Sequence, residues 1–173
     1  GAIDAALTLY TDAVALAVDT EQFDLAAEVR ISWSVCLSAR GDNAAALDQL
    51  ALAEPMLRAG PLGRLRMQRG FVLASAGDRE EAIAAYDAGL PLLLAAGDEI
   101  AATRLYSNRG VALVQLGRFD EALADFTRSQ EMAVQLGQHL LAAGAAHNLG
   151  YLHGRLGDVP AALRGFADAR AQY

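Results

Sequence analysis

The sequence is poor in several residue types, and each shortage narrows the class of protein. With one cysteine, Cys36, it has no intramolecular disulfide, which favours a reducing cytoplasmic location. It has no lysine, so all 14 basic residues are arginine, and the net charge is −7. An acidic chain lacks the broad basic field that non-specific nucleic-acid binding requires. Val and Ile are sparse, so strands are disfavoured.

Long apolar runs are also absent from the sequence. No run approaches 18 residues without a polar interruption, so we predict no membrane-spanning helix. Over half of the residues are apolar and only 4 are proline, which favours a folded core over disorder. The sequence shows no signal peptide and no initiator methionine. Because Gly1 falls on a turn position of the repeat described next, we expect the chain to be a piece excised from a longer protein.

What the sequence does contain is an internal repeat. Each copy opens with glycine, has alanine five positions later, an aliphatic residue after six and an aromatic residue or leucine after nine. The copies begin at Gly1, Gly41, Gly77, Gly117 and Gly157, which are 36 or 40 residues apart. Such self-similarity is typical of stacked supersecondary units. Arrays of this kind usually present a long surface to a partner and rarely perform chemistry.

Each repeat is predicted to form a helical hairpin. In the clearest unit, 98–137, Asp98 is a suitable N-cap and Gly97 is a suitable end for the helix before it. Apolar residues then recur at helical spacing until Gly117 ends the first helix, and Phe119 opens the second. We therefore predict an all-α fold, an α-solenoid of antiparallel helical hairpins with about nine helices.

The repeat boundaries follow from the turn residues. A strong break is predicted at Gly60 and Pro61, because this pair interrupts helices. The array then divides into the second helix of a truncated repeat, three full repeats and a last repeat. These five parts span residues 1–20, 21–60, 61–97, 98–137 and 138–173.

A second glycine pattern links the two helices of each hairpin. Gly or Ser is followed after seven residues by Gly, after five more by Ala, and after four more by an aromatic residue or leucine. The copies are Ser34, Gly41, Ala46 and Leu50; Gly70, Gly77, Ala82 and Tyr86; Gly110, Gly117, Ala122 and Phe126; and Gly150, Gly157, Ala162 and Phe166. This pattern resembles the tetratricopeptide repeat, whose signature has Leu-Gly and then Ala-x-x-x-Phe. We expect the helices to cross at Gly110 and Ala122, with Phe126 filling the gap to the following helix.

The repeats differ from the usual form of about 34 residues because most of them are 40 residues long. In this they resemble the longer repeats of kinesin light chain and of Pins-type polarity scaffolds. The run from Asn148 to Asp158 also resembles repeats that precede CHAT peptidase domains in bacteria. The resemblance implies a right-handed superhelix whose first helices line a concave groove that holds extended peptides.

Candidate catalytic and metal-binding groups are few. None of His139, His147 and His153 has a partner at the spacing that would place two metal ligands on one helical face. Cys36 lies in an apolar stretch after Trp33, so we expect a buried, inert thiol. We predict that the chain is not an enzyme and that it uses no cofactor and no metal.

Several charged residues have structural interpretations. Asp120, Glu121 and Asp125 fall near the start of a helix, where negative charge is favoured, and we expect them to cap and solvate it. Arg69 and Arg109 stand directly before the crossing glycine, where the resembling family usually has leucine. Either their stems cover apolar surface or their heads add positive charge to a rim of the groove, and the sequence leaves both alternatives open.

Polar residues recur at two positions of the first helices. Two residues before the crossing glycine stand Ser32, Gln68, Asn108 and Asn148, and six residues before it stand Glu28, Arg64, Arg104 and Gly144. The two positions share a helix face because they are four apart. The resemblance implies that the amides hold a peptide backbone and that the arginines favour its carboxylates. The predicted peptide-binding residues are Arg64, Gln68, Arg104, Asn108, Val111, Asn148 and Tyr151.

The same polar residues have an internal alternative. Asn108 and Gln68 would then only bond neighbouring helices, and the two arginines Arg64 and Arg104 would pair with Glu28 or Glu99. Polar residues kept in register across units fit a shared surface better, so the groove is the preferred interpretation.

These observations predict a protein–protein interaction module that binds an extended peptide or partner segment with acidic groups. The alternative is a sensory segment whose ligand changes the superhelix pitch and controls an attached peptidase or transcription regulator. We predict no nucleic-acid partner and no membrane contact. The terminal helices, around 7–18 and 163–173, lack a preceding or a following repeat to pack against, which favours self-association.

Overall fold

The computed structural model describes residues 2–171, with side chains from residue 7 onward. Within this range it contains nine α-helices and a short 3₁₀ turn, and no strand. The helices are α1 (Ala2–Asp19), α2 (Phe23–Ala39), α3 (Asn43–Ala53), α4 (Ala59–Ala76), α5 (Arg79–Ala95), α6 (Glu99–Gln115), α7 (Phe119–Gln135), α8 (His139–Arg155) and α9 (Val159–Ala171). The predicted all-α class and helix number are confirmed.

The helices pack as hairpins inside two compact units, Gly1–Ala96 and Gly97–Tyr173. In the first unit α2 packs on α3 and α4 on α5, and in the second α6 packs on α7 and α8 on α9. The first helices of consecutive hairpins are also neighbours, since α2 contacts α4 and α6 contacts α8. The division of the chain into repeats at the five ranges given above stays a proposal.

The turns between helices have a common physical cause. Gly97 and Gly117 have φ angles of +69° and +76°, a left-handed conformation that ends helices and favours glycine. The next helix then begins at once. Before α6, the Asp98 carboxylate accepts a hydrogen bond from the backbone N–H of Ala101 at 3.2 Å. The predicted helix ends and cap are therefore confirmed.

The two helices of a hairpin approach closely at the predicted crossing glycine. A Cβ atom on Gly110 would lie 2.5 Å from the Phe126 ring, and one on Gly70 would lie 2.6 Å from the Tyr86 ring. Phe126 and Tyr86 are each only 1% exposed. A side chain at either glycine would displace its ring from the core. The close contact of Phe126 is thus within its own hairpin, and not only with the following helix as expected.

The break between the first two full hairpins lies earlier than predicted. A 3₁₀ turn at Glu54–Met56 follows α3, and Leu57 is extended and buried. Helix α4 begins at Ala59, so Gly60 and Pro61 belong to its first turn and do not interrupt it. Proline is tolerated there because the first turn leaves its N–H groups without helical partners. The buried Leu57 side chain holds the segment between α3 and α4 against the core.

The core of the first unit is a cluster of aliphatic side chains. Its largest members are Leu37, Leu50, Leu57, Leu65 and Val72. These residues come from α2, α3, α4 and the segment between α3 and α4, so they join the two hairpins of this unit. Burying such side chains contributes about 1.5–3 kcal/mol each to folding, before conformational entropy is counted.

Candidate partner-binding surface

One face of α6 carries three of the predicted binding residues. Arg104, Asn108 and Val111 are spaced by four and three positions, so they share this face. Arg104 is exposed, Val111 is 41% exposed and Asn108 is half-buried. In the part of the chain that the structure describes, neither Arg104 nor Asn108 forms a hydrogen bond or an ion pair. The internal alternative, in which Arg104 pairs with Glu99, is not what the structure shows.

The facing side of α8 carries two more of the predicted residues. The Asn148 side-chain N–H₂ donates a hydrogen bond to the Ser107 hydroxyl at 3.0 Å. This bond ties α8 to α6, so for Asn148 the internal alternative is observed. Tyr151 is 47% exposed, and its hydroxyl accepts a hydrogen bond from Arg155 at 3.2 Å. The Asn148 carbonyl oxygen keeps its capacity to accept a bond from a ligand.

A cavity of about 240 Å³ lies between α6 and α8. It is lined by Val111, Val114, Gln115, Phe126, Asn148 and Tyr151. Its walls are mostly apolar, with the two amides and the tyrosine hydroxyl as polar groups. Pockets for small molecules hold roughly 300–1,000 Å³. The cavity is therefore suited to one side chain rather than to a cofactor.

The remaining predicted residues, Arg64 and Gln68, lie on α4 in the first unit. Arg64 is exposed and Gln68 is half-buried. The side-chain nitrogen of Gln68 is buried, and it has no hydrogen-bond partner in the described part of the chain. A buried donor without a partner costs about 1–3 kcal/mol.

Three further residues of this surface were not predicted from the sequence. Ser107 holds Asn148, Gln115 lines the cavity, and Arg155 holds the Tyr151 hydroxyl. Helical spacing could have found two of them, because Gln115 is four residues after Val111 and Arg155 is four residues after Tyr151. Nothing in the sequence pattern pointed to Ser107.

Arg109 has a structural role that the sequence left open. Its guanidinium grips the Asp125 carboxylate with two hydrogen bonds of 2.8 Å, and it lies 5.7 Å from the centre of the Tyr106 ring. Asp125 is only 5% exposed, so the prediction that it solvates an outer helix face is wrong. It lies next to Phe126, on the side of α7 that packs against α6. Arg109 is therefore an internal cation and not part of a groove rim.

Arg69 also binds a carboxylate of its own unit. Glu54 accepts hydrogen bonds from Arg66 and, at 3.4 Å, from Arg69. By contrast, the carboxylate of Glu121 is exposed as expected, and its hydrogen bonds with Arg118 hold its pKa below the usual range. Arg109 thus joins the two helices of its hairpin, whereas Arg69 joins α4 to the turn that follows α3.

The histidines and the cysteine do not converge on a site. His139 and His147 are exposed, and the His153 ring nitrogen is 4.0 Å from the Asp158 carboxylate. Cys36 is half-buried rather than buried, and its thiol lies 3.6 Å from the Tyr10 hydroxyl. This hydrogen bond is the main cause of a raised pKa of Tyr10, with burial second. Among the described residues, no three His, Cys, Asp or Glu side chains are grouped to hold a metal ion.

Membrane insertion has no support in the described helices. Across residues 2–171, none combines the length and the apolar character needed to cross a bilayer.

The hairpins and their crossing glycines define a protein built from helical-hairpin repeats. Residues 99–173 match the family model described as tetratricopeptide repeat. No curated protein matches the sequence. That segment is thus similar to tetratricopeptide repeats, and the solved structures described next show the same fold over nearly the whole chain. The predicted family is confirmed.

Three solved structures show this likeness. BtubC (BKLC) from P. vanneervenii is 19% identical, with a TM-score of 0.85 over 99% of this chain and 74% of that one. A putative kinesin light chain from P. anserina, with nearly identical TPR-like repeats, is 14% identical, with a TM-score of 0.75 over 98% of this chain and 86% of that one. MamA (MSR-1 C2) is 17% identical, with a TM-score of 0.62 over 96% and 95%. At these identities the likeness shows the fold alone.

Tetratricopeptide repeats generally mediate protein–protein interactions, and their fold is typical of non-catalytic scaffolds. The class of function predicted from the sequence is therefore supported at this level.

Proposed function

We propose that the second compact unit binds an extended segment of a partner protein across α6 and α8. The observation that carries this proposal is the cavity between the two helices, which Val111, Asn148 and Tyr151 help to line. Beside it on α6 lie Arg104 and Asn108, two polar side chains without an internal partner in the described residues. An apolar cavity beside unused polar groups is the usual arrangement of a recognition site.

Each predicted residue has a separate task in this proposal. The cavity accepts one apolar side chain of the partner, which would bury it against Val111 and Tyr151. The Asn108 amide offers a donor and an acceptor to the partner's backbone. Arg104 binds an acidic side chain, because a guanidinium can grip a carboxylate with two parallel hydrogen bonds. The overall charge of −7 gives no general attraction for acidic partners, so this contact has to be local.

The first unit carries two of the predicted binding residues at matching positions of α4. Arg64 and Gln68 occupy the positions that Arg104 and Asn108 occupy on α6. The Gln68 amide nitrogen is buried without a partner in the described residues, so a backbone contact there requires this side chain to turn outward. We propose that Gln68 binds the main chain of a partner and that Arg64 contributes positive charge.

A peptide selected against the whole chain from a random display library would test the proposal. We expect Arg104→Glu with Asn108→Ala to weaken binding of the selected peptide by about tenfold or more, because a charge-assisted and a neutral hydrogen bond are lost. Helical content, measured by circular dichroism, should not change. Arg170→Glu is the matched control, since it makes the same charge change at an exposed position on α9. Equal affinity of the double variant and the wild type would show that the binding surface lies elsewhere.

Two further proposals concern the partners of the whole protein. The exposed apolar side chains Leu9 and Leu16 on α1 and Leu163 on α9, each more than 60% exposed, favour self-association of the chain. Control of an attached effector remains the alternative function, and the sequence that flanks these repeats in the complete protein would test it. The cytoplasmic location also stays a prediction.

A further inference from the structure

A second, more polar cleft of about 300 Å³ lies beside α9 in the second unit. It is lined by side chains of α7, α8 and α9 and shares no residue with the cavity between α6 and α8. Its charged residues are Asp158, Arg164 and Asp168, and it is also lined by His153 and by Gln130 from α7. Its floor is formed by small or aliphatic residues of α8 and α9.

In the α6–α7 hairpin, the position equivalent to this cleft is filled by side chains. The floor residues Ala146, Leu149 and Gly165 stand 40 positions after Tyr106, Arg109 and Asp125. In the α6–α7 hairpin those three residues form the buried ion pair and its aromatic neighbour. In the α8–α9 hairpin their replacements carry no guanidinium, no carboxylate and no ring. The Arg109 guanidinium is therefore bound inside the α6–α7 hairpin, whereas the equivalent residues of the α8–α9 hairpin line a cleft.

The charge around the cleft is also changed between the two hairpins. Asp158 and Asp168 stand where the preceding hairpin has Arg118 and Arg128. The Asp158 carboxylate already caps α9 through the backbone N–H of Ala161, at 3.0 Å. Asp168 is exposed, and in the described part of the chain it has neither a hydrogen bond nor an ion pair. The cleft therefore offers carboxylate oxygens to a cation.

We infer that this cleft binds an arginine side chain of a partner protein. The guanidinium enters the place that Arg109 fills in the preceding hairpin, and it donates hydrogen bonds to Asp168 and to the side-chain oxygen of Gln130. Its aliphatic stem lies on Leu149 and Ala146. Arg164, the one arginine among the lining residues, donates a hydrogen bond to the carbonyl oxygen that follows the bound side chain.

The inference is tested on the whole chain with N-acetyl-arginine amide as the probe, followed by two-dimensional amide NMR. We expect saturable shifts at the amides of Ala161, Gly165 and Asp168. Asp168→Asn should weaken binding of the probe by about fivefold or more, because a charge-assisted hydrogen bond becomes a neutral one. Asp120→Asn, at an exposed position of α7 outside the cleft, is the control and should leave the affinity unchanged.

Other probes separate the alternatives. N-acetyl-lysine amide should bind more weakly, since an ammonium lacks the planar fork. Tighter binding of N-acetyl-aspartate amide would identify an anion site at Arg164 and overturn the inference, as would tighter binding of free arginine, which would identify an amino-acid site. Leu149→Arg supplies a guanidinium from the chain itself and should block the cleft. Unchanged probe binding by this variant and by Asp168→Asn would also overturn the inference.

Discussion

The α6–α7 and α8–α9 hairpins share the same glycine pattern but bury different residues beside it. In the first, Arg109 and Asp125 form an ion pair inside the hairpin, and Phe126 is 1% exposed. In the second, Gly165 lies so close to α8 that a Cβ atom there would be 2.8 Å from the Gly150 backbone, and the equivalent Phe166 is 39% exposed. The pattern therefore fixes how helices cross, whereas the residues between its positions decide where the surface is open.

The largest expected effect contrasts the two aromatic rings. Phe126→Ala should lower the free energy of unfolding by about 3–5 kcal/mol, because a fully buried ring leaves a cavity. Phe166→Ala should cost about 1–2 kcal/mol, because its ring is already partly exposed. Urea unfolding of both variants measures the difference. Equal losses of unfolding free energy in the two variants would mean that the two rings are packed alike, which would contradict the difference between the hairpins.

The next effect concerns the ion pair that only the first of these hairpins has. Asp125→Ala should cost about 2–3 kcal/mol, because it leaves the largely buried Arg109 guanidinium without its carboxylate. The double variant Asp125→Ala with Arg109→Leu should recover most of this loss, since no unpaired charge remains. Thermal unfolding of the wild type, the two single variants Asp125→Ala and Arg109→Leu, and the double variant forms a mutant cycle. No recovery in the double variant would show that the loss comes from packing rather than from charge.

A smaller effect extends the comparison to the α4–α5 hairpin, where Tyr86 takes the place of the phenylalanines. Burial raises the pKa of Tyr86, so its neutral form is favoured in the folded state. Tyr86 therefore contributes full stability below the unfolded pKa of about 10, and this contribution is lost as pH rises above it. Tyr86→Phe should reduce the alkaline loss of stability between about pH 9 and 11, relative to the wild type. Identical pH profiles would contradict the buried, neutral phenol.

The smallest effect concerns the exposed face of α9. Leu163 is 64% exposed, whereas the equivalent Leu123 of α7 is half-buried. Leu163→Ser should weaken self-association of the chain by a few-fold without lowering its stability, which light scattering over a concentration series measures. A wild-type chain that stays monomeric at high concentration would contradict the proposal that the chain self-associates.

The fold was predictable from the sequence because its signals are local and repeated. The turn glycines, the cap at Asp98 and the crossing residue Gly110 all act within one hairpin, and each occurs in several copies. The break before α4 was misplaced because Pro61 was interpreted as a helix breaker, although prolines are tolerated in first turns. Leu57 separates α3 from α4 because it is extended and its side chain is buried by other parts of the fold. The spacing of residues along the sequence does not reveal such burial.

The candidate surface was predictable only in part. Spacing along α6 and α8 grouped Asn108 with Val111 and Asn148 with Tyr151, as the structure does. The buried state of Asp125 was missed because its pairing with Arg109 depends on which residues of two helices face each other. The same limit applies to Ser107, whose contact with Asn148 joins residues 41 positions apart.

The central claim is that a partner segment lies across α6 and α8 with one apolar side chain in the cavity between them. Intermolecular nuclear Overhauser effects between a selected peptide and the methyl groups of Val111 test this directly. We predict contacts from one apolar side chain of the peptide to both Val111 and the Tyr151 ring. Contacts confined to other helices, with the Val111 methyl signals unchanged at saturation, would contradict the account.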